Sequence, residues 1–99
     1  MKPVLRLEIV IDGANADAVC DILDSHAVTG WTVLEVAKGR GERGMRRADS
    51  LRSGNQLILS TCKESDLDAL VADLRPVLKR FGGVCLVSDA RWVRHREEA

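Results

Sequence analysis

The chain is 99 residues long, 45% apolar and 30% charged, with fifteen basic and fifteen acidic side chains. That length suits one domain around one hydrophobic core, and the composition excludes a disordered chain. A net charge of zero excludes a global pull toward nucleic acid or an anionic membrane, so any charge that matters is local.

The opening MKPVLRLEIVI alternates into a strand and lacks a cleavable apolar segment. No apolar run approaches the ~18 residues that a membrane span requires. Cys20, Cys62 and Cys85 are odd in number, lack CxxC spacing and sit among apolar neighbours. They read as buried, reduced thiols, which points to a cytoplasmic protein without membrane insertion.

In chain order, residues 4–11 (VLRLEIVI) are rich in β-branched side chains, and Asp12-Gly13 stops them, predicting a first strand. From Asn15 the period changes. Val19, Ile22, Leu23, His26 and Ala27 share one face of a helix, with His26 expected as a packed core or interface histidine. After Gly30 strand character resumes in TGWTVLEVA, and QLILSTC at residues 56–62 reads as a third strand. Ser65, followed by Asp66 and Asp68, predicts the N-cap of a second helix. Leu67, Leu70, Val71, Leu74, Leu78 and Phe81 carry that helix to about Arg80, with Pro76 expected to kink it. Gly82-Gly83 ends it, VCLVSDA at 84–90 is a fourth strand, and a charged tail occupies about 92–99.

The order β-α-β-β-α-β predicts one α+β domain over residues 1–99: a ferredoxin-like, four-stranded antiparallel sheet with both helices on one face. The opposite face carries Val, Leu and Ile with nothing in the chain to cover it, so self-association is expected.

Residues 38–54 stand apart. They combine Gly39, Gly41, Gly44 and Gly54 with Lys38, Arg40, Arg43, Arg46, Arg47 and Arg52, against only Glu42 and Asp49. Hairpin loops usually take two to five residues, so this loop is far longer than connectivity needs. One reading is a solvated insertion with no partner. The other is a site for an anion or an acidic protein, with glycines permitting close approach and arginines supplying planar forks for phosphate or carboxylate. Gly82-Gly83 reads either as a plain helix stop or as a source of backbone donors. Arg91, Arg94 and Arg96 read either as a solvated tail or as added cations. With no HxxxH, CxxC or clustered carboxylates, no metal site is expected. No Ser-His-Asp or Cys-His pairing marks a catalytic residue, so the chain does not read as an enzyme.

Taken together, TGWTVLEV, the loop opening KGRG, the strand QLILS and the closing FGGVCLVSDARWVRH resemble the PII-like signalling proteins, from the first strand to about His95. Within that family the chain is most similar to the short carboxysome-associated and bicarbonate-transporter-associated members. The resemblance implies a homotrimer whose sheets face a central axis, with an adenine nucleotide in each cleft between subunits. By position, Thr29 and Gly30 would lie near the base and ribose, and Lys38, Gly39, Arg40 and Gly41 near the phosphates. Gly82 and Gly83 would form the turn beside them, and Arg91 and Arg94 would add phosphate contacts from the final strand. The long loop, with Arg43, Arg46, Arg47 and Arg52, would be the effector loop that rearranges with ligand and engages a bicarbonate transporter or carboxysome-related protein.

The chain also departs from the family. It has no tyrosine, which excludes the tyrosine modification of nitrogen-sensing members. GRGERG stands where family members place the glutamine used for Mg²⁺ and 2-oxoglutarate, and FGGVC lacks the usual lysine of the phosphate turn. These losses favour ADP or AMP, without a metal, over ATP with magnesium, and bicarbonate suits an arginine-lined nest as a second ligand. Two other classes fit the sequence less well. An RNA-binding module on the same fold would stack bases on sheet aromatics, yet the chain's aromatics are Trp31, Phe81 and Trp92, none in the first or third strand. Slow hydrolysis of bound nucleotide would need a general base, and no residue stands out as one.

Overall fold

The structure is a computed structural model that describes residues 1–41, 44–47 and 54–95, with residues 44–47 given by their backbone pairing alone. Six strands and two helices follow one another: β1 (Lys2–Asp12), α1 (Ala16–Asp24), β2 (Trp31–Glu35), β3 (Lys38–Gly41), β4 (Gly44–Arg47), β5 (Asn55–Cys62), α2 (Leu67–Phe81) and β6 (Val84–Trp92). Four of them form an antiparallel sheet in the order β2-β5-β1-β6, while β3 and β4 pair separately. This is the expected ferredoxin-like α+β fold.

Register sorts the side chains. In β1 the odd positions Leu7, Ile9 and Ile11 face the helices and are buried, and in β5 the even positions Ile58, Ser60 and Cys62 do so. They meet Val19 and Leu23 from α1 and Leu70 and Leu74 from α2 in a single core. Each fully buried aliphatic side chain there contributes about 1.5–3 kcal/mol of transfer free energy. A one-residue slip of β1 would exchange this set for Arg6, Glu8 and Val10, so the alternation itself fixes the pairing.

Two short 3₁₀ turns, Gly13–Asn15 and Glu64–Asp66, lead into the helices. Asp12 caps the first turn: Oδ1 accepts the Asn15 backbone N–H at 3.2 Å and the Asn15 side-chain amide at 3.0 Å. The expected N-cap at Ser65 is not formed. Ser65 lies inside the second 3₁₀ turn, and Asp66 precedes α2 without a side-chain cap bond. His26 falls two residues beyond α1, in the following turn, where its Nε2 meets Asp73 Oδ2 of α2 at 2.7 Å. It is a packing histidine that ties the two helices together. Helix α2 runs through Pro76, which is exposed; the donor it lacks would have gone to Ala72, also on the solvent side.

The stretch after β2 differs from the expected structureless loop. Val36 N–H donates to the Asn55 carbonyl at 3.0 Å, and Gly13 N–H to that of Gly54 at 2.8 Å, closing the base of the excursion. Beyond it β3 and β4 form an antiparallel ribbon, with Gly41 opposite Gly44 and two residues between them in sequence. KGRG and GMRR contain no β-branched residue and no apolar alternation, so the usual strand signal is missing. Main-chain pairing carries this ribbon.

At the other end of α2 the backbone is demanding. Gly82 has φ 76° and ψ 173°, and Gly83 has φ 128°. A Cβ at Gly83 would stand 2.8 Å from the Val10 carbonyl oxygen and 3.1 Å from Leu78 Cδ2. The turn is wedged against β1. Gly83→Ala should cost about 1–3 kcal/mol of stability, from backbone strain and the clash together. Urea unfolding measures it; an unchanged midpoint and slope would contradict the close approach.

Candidate functional site

The turn at Gly82-Gly83 and the opening of the excursion meet at one end of the sheet. Between them lies a cavity of about 570 Å³, walled by Gly39, Arg40 and Gly41 of β3, by Gly82 and Gly83, and by the last turn of α2. Asp12 and Asn55 complete its polar wall, while Val10, Ile11, Val36, Leu78, Phe81 and Val84 supply the apolar part. A few polar groups in a largely apolar concavity of this size is the usual form of a small-molecule site. Among the described residues of the wall, two cations, Arg40 and Lys79, accompany one carboxylate, Asp12, which is already held by Asn15. The arrangement favours an anionic group.

The glycines here have different reasons for being glycine. Gly83 is required by the fold, as above. Among the described residues, a Cβ at Gly41 would meet nothing within 4 Å, and one at Gly39 would only touch Val36 Cγ1 at 3.7 Å. Neither needs an unusual φ, so a requirement for glycine at 41 would come from a bound group.

The remaining expected site residues lie elsewhere. Thr29 and Gly30 open onto a second cavity of about 670 Å³ with Arg6, Glu8, Thr32 and Trp92, at the opposite end of the sheet. The Ser60 hydroxyl donates to the Gly30 carbonyl at 2.6 Å and pins this turn to β5. Arg6 and Glu8 pair on the uncovered face. Arg91 closes β6 at this same end, and the Arg94 guanidinium lies over the Trp92 ring, 5.7 Å from its centroid. The run from Gly30 to Val36, like that from Val84 to Arg91, spans about 20 Å at the ordinary strand rise. Within one copy the two groups do not meet. Lys38 is exposed on β3 and is not part of the cavity wall. Arg43, Arg52 and residues 96–99 lie outside the described residues, as do the side chains of Arg46 and Arg47.

Sequence reasoning missed Asp12, Asn55, Lys79 and Phe81 as wall residues, and Ser60 as the anchor of Gly30. Two signals were available. Ser60 interrupts an apolar inward row between Ile58 and Cys62, and Lys79 stands three residues before Gly82 on the helix that ends there.

Burial disfavours the thiolate form of all three cysteines. Burial pushes the Cys20 thiol up, with Asp17, Asp24 and Asp21 adding to it. Burial also raises Cys62, helped by Asp66, and Cys85, helped by Cys62. Among the described residues no group of His, Cys, Asp and Glu could hold a metal ion, and no helix is long and apolar enough to cross a membrane.

The family model described as nitrogen regulatory protein P-II matches residues 4–97. Among solved structures, CPII, a nitrogen regulatory PII-like protein from Thiomonas intermedia K12, bound to ADP, AMP and bicarbonate, matches with a TM-score of 0.85 at 26% identity, covering 93% of this chain and 90% of that one. A structure of CPII bound to ADP and bicarbonate gives 0.84 at 27% identity, with the same coverage. One bound to ADP, AMP and acetate gives 0.78 at 25% identity, covering 94% and 91%. No curated protein matches this chain.

Two outcomes follow from the site's construction. Gly41→Ala should leave the melting temperature of the free protein unchanged while weakening anion binding; a fall in free-protein stability would show that the fold itself needs this glycine. At about pH 8 the raised thiols are mostly protonated, so iodoacetamide should label the native protein more slowly than the denatured chain. Native labelling of Cys20 and Cys62 as fast as in the denatured chain, followed by mass spectrometry, would contradict the burial of those two; Cys85 is only partly buried.

Proposed function

This chain belongs to the nitrogen regulatory protein P-II family and is a PII-like regulatory protein, and on that premise we propose that it binds ADP or AMP in clefts between the subunits of a homotrimer. The observation that carries the reading is the cavity at the base of the excursion, where Gly39–Gly41, Arg40 and the Gly82-Gly83 turn converge. Nucleotide phosphates take the cationic wall of that cavity. The base and ribose take the Thr29–Gly30 turn of the neighbouring copy, and Arg91 and Arg94 of that copy reach the phosphates.

The placement of the two groups at opposite ends of one sheet supports such a division. A cyclic trimer with a head-to-tail interface joins one end of each copy to the other end of the next. The uncovered face supplies the driving force: Leu34, Val84 and Leu86 are 46%, 47% and 59% exposed in the single chain. Bicarbonate is a second ligand in this reading, because CPII was solved with it and because a small planar anion suits an arginine fork. The excursion with Arg43, Arg46, Arg47 and Arg52 then acts as the effector segment. Ligand changes its conformation, and that conformation sets affinity for a partner such as a bicarbonate transporter or another protein of inorganic-carbon metabolism. The site needs no metal, and the protein acts as a sensor without turnover.

Calorimetry with AMP, ADP and ATP, each with and without bicarbonate, tests this directly. ADP or AMP should bind with a Kd on the order of micromolar and protect residues 38–54 from protease. Arg40→Ala should weaken binding about tenfold or more, the usual worth of a charge-assisted contact. A folded protein that binds no adenine nucleotide contradicts the proposal.

A further inference from the structure

Lys79 is assigned to no role by its position in the sequence, yet it stands in the wall of the nucleotide cavity. It lies in the last turn of α2, three residues before Gly82, and faces the same space as Arg40 and Gly39–Gly41. The turn that closes the cavity, Phe81-Gly82-Gly83-Val84, contains no cation of its own.

The helix end makes a cation necessary there. The C-terminus of a helix carries about −0.5 elementary charge from its unpaired carbonyls. A phosphate approaching the Gly82-Gly83 turn would meet that negative end, with the Asp12 carboxylate also in the wall. Two basic residues occupy the last turn of α2. Arg80 lies over the Phe81 ring, 5.2 Å from its centroid, and is not part of the cavity wall. Lys79 is. It therefore offsets the helix end and the carboxylate at the place where an anion would have to sit.

Arg40 on β3 and Lys79 on α2 occupy separate parts of the cavity wall, so a phosphate chain that enters past β3, with its base on the Thr29–Gly30 end of a neighbour, would meet Arg40 first and Lys79 last. We infer that Lys79 is the ligand of the second phosphate of a nucleoside diphosphate, and that it sets the preference for diphosphate over monophosphate. The inference rests on the reading of this cavity as the nucleotide site.

Calorimetry of the full-length protein with ADP and with AMP tests the assignment in Lys79→Ala, Lys79→Arg and Arg80→Ala, with melting temperature recorded for each variant. Lys79→Ala should weaken ADP about tenfold or more and change AMP by less than about threefold, since only one charge-assisted contact is removed. Lys79→Arg should keep most of the ADP affinity, and Arg80→Ala should bind both as the parent does. Equal loss of ADP and AMP in Lys79→Ala, or no loss of either, overturns the inference while leaving the nucleotide site intact. If the parent protein binds neither nucleotide, the proposed function itself fails, and this assignment fails with it.

Discussion

The structure depends on one constraint: its sheet has two apolar faces and the chain supplies helices for only one. Leu7, Ile9 and Ile11 of β1, with Ile58 of β5, are fully covered by α1 and α2. The even positions of the same strand and the outward residues of its neighbours include Val10, Leu34, Val84 and Leu86, and among the described residues no element packs over them. An apolar surface of that extent is usually a protein interface. In the proposed homotrimer it is buried on other copies, so association and ligand binding rest on the same surface. In that proposal the two half-sites at the ends of the sheet become one site only when that face is covered.

Each half-site is built mainly from backbone and is held by short-range constraints. At one end Gly83 sits so close to the Val10 carbonyl that no side chain fits, and Val36 and Asn55 close the neck below β3. At the other end the Ser60 hydroxyl holds the Gly30 carbonyl. A basic excursion above a neck held by main-chain bonds suits the proposed switch, because a ligand at the neck acts on a segment whose base is fixed. Arg40 is the hinge of that argument: it lies on β3 and in the cavity wall together.

The long elements were legible because their periods are clean. VLRLEIVI alternates and QLILSTC alternates, and the apolar residues of α2 recur at helical spacing, so the sheet, both helices and the bare face could be read directly. The ends were harder. Ser65 has the chemistry of an N-cap, but the chain enters α2 through a 3₁₀ turn that places Ser65 one residue too early. His26 lies past the end of α1, where its pairing with Asp73 depends on α2 and has no local signature. The β3–β4 ribbon has no apolar alternation to announce it. Of the candidate site, the glycine-rich opening at 39–41 and the 82–83 turn were recognisable, and they do meet. That Thr29 and Arg91 lie some 20 Å from them is a matter of sheet topology, which no motif records. Lys79 escaped notice because a lysine in the last turn of a helix is ordinarily a solvated charge at the negative end of the dipole.

The central claim, that each nucleotide site is shared between two copies, is tested most directly by mixing subunits. Arg40→Glu damages one end of the sheet and Arg91→Glu the other, and each variant alone should bind ADP weakly at every site. In trimers reassembled from equal amounts of both, about a quarter of the clefts would join two undamaged ends, so tight ADP binding should return at that fraction of sites. If mixing restores no tight sites, or if Arg91→Glu alone binds ADP as the parent does, the site is not shared in this way.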